Sequence, residues 1–290
     1  MKRIAVLVFL FNGKNYIPLI EQEYRNQIID DCQLSLKFIL TDTSDGSKEY
    51  LKEHSLDFAL VSQKDFNHAV TREKYILESN ADIVILLTQD CRLVNNDTYQ
   101  KLSDAIQGNV KFAYLRQVNN NRSVERYTRM FNYPKKSRIK SKKDIKELGL
   151  NTFFASDACS AIDVAFFRSI GGYGKSLPTN EDMYYAYKVI SNNMEVAYVA
   201  ETYVIHSHKF TLKQTEDRYF LFGEFLGMCP EFDSYSATDS GLKLAFKVIL
   251  RILLEFNIPA LFSFIPNMLA RLKGKKRGFQ KGLSERKNNP

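Results

Sequence analysis

The apolar positions of the first ninety residues fall into short unbroken runs, separated by polar stretches of helical period. Ile4 to Phe11, Phe58 to Val61 and Ile83 to Leu87 are such runs, and Leu36 to Leu40 is one broken only by Lys37; they are rich in β-branched and leucine residues. A run without alternation is the pattern of a strand buried on both faces, as in a parallel sheet. The segments between them, about Ile17 to Asp30, Lys48 to His54 and a stretch ending at Ser79, read as helices. Strand and helix alternating in this way predict parallel βαβ units with right-handed crossovers. Beyond Asp90 the same reasoning places a helix through Ala105, a fifth strand at Lys111–Leu115, a strand at Thr152–Ala155 and a helix at Val164–Ile170. Another helix begins at Glu181-Asp182, and strands follow at Val196–Val199 and Thr202–Ile205. The expected class is α/β, with a central, mostly parallel sheet flanked by helices.

Two regions depart from this pattern. Residues 117–151 hold Asn119-Asn120-Asn121 and a scatter of Arg and Lys, from Arg122 to Lys143. A charge run of this kind is a solvated loop or, on a functional reading, a mobile, partly helical basic lid over phosphates. From Gly241, Lys243, Lys247, Arg251 and Glu255 recur every four residues among Leu, Ile and Phe, and Arg271 to Arg277 adds a basic cluster. That periodicity describes a helix with a narrow polar stripe and a wide apolar face. Charges and two prolines, Pro259 and Pro266, break the run below the about 20 apolar residues that a membrane span needs. The expectation is a body over residues 1–238 and a tail, 239–290, of amphipathic helices that lie on a membrane surface and end in a polybasic anchor. The alternative packs the tail on the protein's own core or on a second subunit, giving a homodimer.

Charge supports the first reading. The whole chain is +8, but residues from Gly241 on carry eleven Lys or Arg against two Glu, so the body is near neutral. A nucleic-acid-binding body is therefore not expected, and the residues interleaved with the tail's charges are aliphatic rather than base-stacking aromatics. Cys32, Cys91, Cys159 and Cys229 are scattered, with no C-x-x-C pair, so neither a disulfide framework nor a zinc site is indicated. The apolar start lacks a cleavage motif and reads as a strand, which suggests a cytoplasmic setting.

The candidate chemistry lies at strand ends, where open α/β sheets bind ligands. The second strand runs into Thr41-Asp42-Thr43-Ser44-Asp45-Gly46-Ser47, either a nucleotide contact or an ordinary capped turn. The fourth ends at Thr88-Gln89-Asp90-Cys91, where Asp90 could hold Mg²⁺ or Mn²⁺ or cap a turn. The last strand ends at His206-Ser207-His208, two imidazoles on one side of an extended chain. A glycine-rich loop, Gly171-Gly172-Tyr173-Gly174, precedes Glu181-Asp182, two acids that would at least favour a helix start.

In this order the pieces resemble an inverting family-2 glycosyltransferase of the GT-A fold, a Rossmann-like fold for nucleotide-diphospho-sugars. Phe66-Asn67-His68-Ala69-Val70-Thr71-Arg72, Thr88-Gln89-Asp90-Cys91, Arg129-Met130-Phe131-Asn132-Tyr133-Pro134 and His206-Ser207-His208 resemble the bacterial rhamnosyltransferase branch. The resemblance covers about residues 4–210. It implies transfer of L-rhamnose from dTDP-rhamnose to a lipid-diphosphate-linked saccharide at the inner face of the cell membrane. A UDP-hexose donor, or a catalytically silent scaffold, are the alternatives. It further implies Asp182 as general base with Glu181 beside it, and a metal, Mg²⁺ or Mn²⁺, on Asp90 with His206 or His208. Thr88 stands where the family's first D-x-D acid would be. Substrate contacts are implied at Phe11, Asn12, Asp42, Ser44, Asp45, Asn67, His68, Arg72, Gln89, Asp90 and Asp157, with Phe131 and Tyr133 toward the acceptor.

Overall fold

The computed structural model describes residues 1–235 and 238–288. The expected alternation is present: β1 (Lys2–Leu10), α1 (Ile17–Arg25), β2 (Cys32–Thr41), α2 (Ser47–Glu53), β3 (Phe58–Val61), α3 (His68–Glu78) and β4 (Ile83–Thr88). Then come β5 (Arg92–Leu93), α4 (Thr98–Ala105), β6 (Val110–Val118), α5 (Val124–Asn132), β7 (Arg138–Lys140) and α6 (Ile145–Leu148). The body continues through β8 (Cys159–Asp163), α7 (Val164–Ser169), α8 (Glu181–Ser191) and β9 (Glu195–Ile205). Three helices close the chain: α9 (Leu212–Met228), α10 (Thr238–Leu254) and α11 (Ile258–Asn288).

The strands form one sheet in the order β3-β2-β1-β4-β8-β6-β9-β5, with β7 also on β9. The half from β3 to β4 is parallel, as expected, but β8 runs antiparallel to both β4 and β6. Between β6 and β8 the chain runs down β7 beside the first half of β9, climbs back through α6 and a 3₁₀ turn, and so enters β8 from the carboxyl edge. A strand entered from that edge can only run backwards, so the second half is mixed. The unbroken apolar runs do mark burial on both faces. Along β1, Leu7 and Phe9 join Tyr185 and Phe167 in one core layer, while Val6 and Val8 join Ile17, Leu51 and Leu102 in the other.

Three expectations need correction. Thr152–Ala155 is not a strand: Gly149–Phe153 is a 3₁₀ turn whose Phe153 packs edge-on against Tyr187 and Tyr235. A short apolar run alone does not distinguish the two. The two late strands are a single β9, with a register shift against β6 between Leu115 and Arg116. The 117–151 segment is partly helical but is built into the fold: β7 extends the sheet, Lys140 is buried against the Phe154 carbonyl, and Tyr133 stacks with Phe154 and Tyr198. Phe131, half-buried, packs against α10 and α11, and Tyr133 is buried.

The tail is also more integrated than its composition implied. Helix α11 packs along α9 by backbone contact at glycines. A Cβ on Gly274, Gly278 or Gly282 would overlap the carbonyl oxygens of Glu216, Phe220 and Glu224 respectively. Gly223 and Gly227 make the reciprocal approach from α9. Much of the basic cluster is paired internally: Lys273 and Arg277 with Glu216, Lys281 with Glu224, Arg286 with Asp233, and Arg271 with Glu125. Among the described residues no helix is long and apolar enough to cross a membrane. Residues 289 and 290 of the tail lie outside the described residues.

Candidate active site

Asp90 follows β4, and His206 and His208 follow β9, so the two strand ends bring the three together. His206 Nε2 lies 3.3 Å from Asp90 Oδ1, and His208 Nε2 lies 3.3 Å from Asp90 Oδ2. The two Nε2 atoms are 2.6 Å apart. Nitrogen atoms so close need either one proton or one cation between them. Burial, then the neighbouring His206, brings His208 down to about 4; His206 is also lowered, first by burial. Although burial alone would raise Asp90, its hydrogen bond to His206 and the charges of both histidines when protonated bring it to about 2. At neutral pH the trio is one carboxylate and two neutral imidazoles, an N₂O donor set with room for further oxygens. This suits Mn²⁺ well and the oxygen-preferring Mg²⁺ less well. Cys91 Sγ is also close, but the thiol is fully buried, raised by that burial and hydrogen-bonded to Thr88 Oγ1 at 3.2 Å, which makes it a poor ligand. Thr88 itself faces inward, to Cys91 and the Ala158 carbonyl.

The second cluster sits at the start of α8. Glu181 is buried and paired with Arg72 at 3.1 Å; Arg72 reaches toward Asp157 Oδ2 at 3.9 Å and lies over the Phe9 ring. Asp157 is buried and accepts from Ser160 Oγ and Tyr173 O–H. Two carboxyl groups therefore share one buried guanidinium. Burial raises Asp157 to about 6 against the pull of Arg72. Asp182 is raised well above the usual carboxylate range, by burial first and then by the charges of Glu181 and Asp157. Asp182 keeps part of its surface open, and among the described residues its oxygens accept from the backbone N–H groups of Met183 and Asp157. The left-handed Asn180, φ 60°, turns the chain into α8 immediately before the pair.

Residues 156–158 join the clusters. Ser156 Oγ accepts from Gln117, which contacts His206; the Asp157 N–H donates to Asp182; and the Ala158 carbonyl accepts from the Thr88 N–H. Gln117, Asn119 and Ser156 were not anticipated. The signal available for Gln117 was its position, a polar residue at the carboxyl end of an apolar strand. Asn119 holds the His208 carbonyl.

The remaining candidates divide by exposure. Phe11, Asp42, Ser44 and His68 are exposed at the carboxyl edge. Gln89 spends its amide on the backbone N–H and C=O of Phe11, each at 2.9 Å, and so clamps the end of β1 beside β4. Asn12 bonds Thr43, and Asp45 accepts from Lys14 and Ser47, so both brace loops. Asn67 caps α3 and donates to Ser176. Arg72 and Asp157, also expected among the substrate contacts, are buried.

A mixed α/β sheet carrying an Asp–His₂ cluster and an acidic helix start at its carboxyl edge defines a GT-A glycosyltransferase. The model of glycosyl transferase family 2 matches residues 6–171, and the chain belongs to that family. It is 32% identical over 238 residues to the O-antigen chain rhamnosyltransferase RfbN of Salmonella typhimurium strain LT2, covering 79% of this chain and 74% of that relative. It is 32% identical over 195 residues to WbaN of Salmonella anatum, also an O-antigen chain rhamnosyltransferase, covering 65% of this chain and 62% of the relative. In fold it is similar to the Pyrobaculum calidifontis mannosyltransferase PcManGT, solved with GDP-Man and Mn²⁺, at TM-score 0.62 and 11% identity, covering 98% and 88% of the two chains. Residues 1–349 of S. aureus TarS are similar at TM-score 0.53 and 12% identity, covering 100% of this chain and 92% of that one.

Proposed function

We propose that this glycosyltransferase moves L-rhamnose from dTDP-rhamnose to a lipid-linked saccharide, with inversion and with help from a divalent cation. The observation that carries the reading is the partly open Asp182, raised in basicity and joined through residues 156–158 to the Asp90–His206–His208 cluster. Asp182 takes the proton of the acceptor hydroxyl as that oxygen attacks the sugar carbon, while Arg72 and Glu181 below hold the carboxylate cluster rigid. Asp90, His206 and His208 would hold the cation, which would neutralise charge growing on the leaving diphosphate. Asp42 and Ser44, exposed at the end of β2, take the nucleoside end of the donor. The rhamnose assignment follows the names of the two O-antigen relatives. A thermal-shift screen with Mn²⁺ tests it. dTDP-rhamnose at about 100 Kd should stabilise the fold by ~2.7 kcal/mol, a Tm rise of about 5 °C. A shift with UDP-glucose and none with dTDP-rhamnose would refute the donor.

We also propose that α10 and the first half of α11 rest on the cytoplasmic face of the membrane, where such an acceptor resides. Phe246, Phe256 and Phe262 are 68%, 84% and 79% exposed, and Leu242, Leu254 and Ile265 extend the same apolar surface. Phe256 sits at the turn between the helices with φ 50°, a conformation a bulky residue rarely adopts. Exposed Lys243, Lys247 and Lys276 fit an anionic lipid surface. The expected result for Phe246→Ser with Phe262→Ser is loss of co-sedimentation with anionic vesicles, with transfer to a soluble acceptor retained. Undiminished pelleting would count against it. Truncation before α10 is a poorer test, because it would strip α11 from the glycine face of α9.

A further inference from the structure

Gln117 is buried at the end of β6, and its orientation follows from chemistry. Its Oε1 contacts Arg129 Nη1, and a guanidinium has no acceptor, so the oxygen and not the amide nitrogen faces Arg129. The Nε2 then donates to Ser156 Oγ at 2.7 Å, consistent with that assignment. The same Oε1 lies 2.9 Å from His206 Nδ1. Were Nδ1 unprotonated, two lone pairs would face each other at that distance. The Gln117 oxygen therefore draws the proton to Nδ1, while Arg129 Nη1 and Asp90 Oδ1 draw it to Nε2. With the proton on Nδ1, Nε2 keeps its lone pair, directed at the side of Asp90 and His208. A metal-ligating histidine needs this tautomer, and a partner on the far nitrogen fixes it.

The environment also contains the competitor. Arg129 Nη1 is 3.0 Å from His206 Nδ1. Without the Gln117 oxygen, Arg129 could donate to that nitrogen. The ring proton would then sit on Nε2, within reach of Asp90 Oδ1 at 3.3 Å, and would occupy the position a cation requires. Arg129 is itself tied to Glu125 at 3.6 Å, so it would remain in place to do this.

We infer that Gln117 is a positioning residue that selects the Nδ1–H tautomer of His206 and so keeps the Asp90–His206–His208 cluster competent to bind a divalent cation. The inference rests on the proposed metal reading of that cluster. It assigns to β6 a part in cation affinity that does not require Gln117 to touch substrate.

The test uses the full-length protein at one fixed pH. Long-range ¹H–¹⁵N NMR of the metal-free wild type should show His206 protonated at Nδ1, and Gln117→Leu should show it protonated at Nε2. Mn²⁺ affinity, read by EPR titration, should fall about 10–100-fold in Gln117→Leu and be kept in Gln117→Glu, which still offers an oxygen to both His206 and Arg129. Circular dichroism checks the fold of each variant. If Gln117→Leu does not fold, the wild-type tautomer and Gln117→Glu affinity still decide. An Nε2–H tautomer in the wild type, Gln117→Leu binding Mn²⁺ like the wild type, or Gln117→Glu losing it overturns the inference. Wild-type protein whose Mn²⁺ affinity is unchanged by His206→Ala overturns the metal reading instead, a separate outcome.

Discussion

Asp182→Asn is expected to lower kcat for transfer by about 10²–10⁴-fold, the usual worth of a general base, while the protein stays folded and still binds donor. The substitution keeps the shape of the side chain and an acceptor oxygen for one of the Met183 and Asp157 N–H groups, while its amide NH2 faces the other. What it removes is the basic electron pair. Because burial and two neighbouring carboxylates raise Asp182, wild-type activity should be present above that raised pKa and lost as pH falls through it. The variant should lack this limb of the profile. Glu181 provides the contrast. Its carboxylate is buried against Arg72 at 3.1 Å, so Glu181→Gln leaves a buried guanidinium short of a partner. Its loss should appear as about 3–5 kcal/mol of stability in a denaturant melt, with activity falling because less protein is folded. Equal kcat in wild type and Asp182→Asn, or a purely kinetic defect in Glu181→Gln, would reverse these two assignments.

Gly278→Leu is expected to be the most destabilising single change outside the site. In an exposed helix, replacing Gly by a better helix former should stabilise by up to ~1 kcal/mol. At Gly278 any Cβ would overlap the Phe220 carbonyl of α9, a backbone atom that cannot swing aside. The helices must separate, and the cost should be ~3 kcal/mol or more, a Tm loss of about 6–10 °C. Even Gly278→Ala should destabilise. Gly241→Ala, where a Cβ meets nothing within 4 Å, should be neutral or slightly stabilising. A Gly278→Leu melt coincident with the wild type would mean that α11 does not dock on α9 as described.

The parallel half of the fold was legible because its cause is local. Strands β1 and β4 bury both faces and are uninterrupted apolar runs, β2 is one apart from its polar first half and Lys37, the edge strand β3 is short and half-buried, and each strand end is marked by a switch to polar residues. The same switch exposed Asp42, Asp90 and, at a later strand end, the two histidines as candidates, while Asp182 was marked by the glycine-rich loop before it. The antiparallel β8 was hidden for the opposite reason. Strand direction depends on which edge the chain enters from, and Cys159–Asp163 carries no mark of that edge. Thr152–Ala155 read as strand because a short, mostly apolar run looks alike in either conformation. In the tail, hydropathy showed the apolar face of α10, but the glycines of α9 and α11 appeared only as weak helix formers. Their purpose is a close approach between segments 50 residues apart in the chain, and no local window contains both.

The sequence by itself determined the class of sheet, the strand-end location of the chemistry and the family, because burial, periodicity and an ordered set of short motifs are local properties of the chain. Tertiary structure alone decided which acids are open and which are support. Arg72 and Asp157 are the same residue types as surface contacts, yet the fold seals them under Asp182. It alone paired the basic tail with α9, and it alone placed Gln117 between Arg129 and His206. The physical reason is common to all three. The state of an ionisable or hydrogen-bonding group is set by its partners and by its distance from water, and both come from distant parts of the chain.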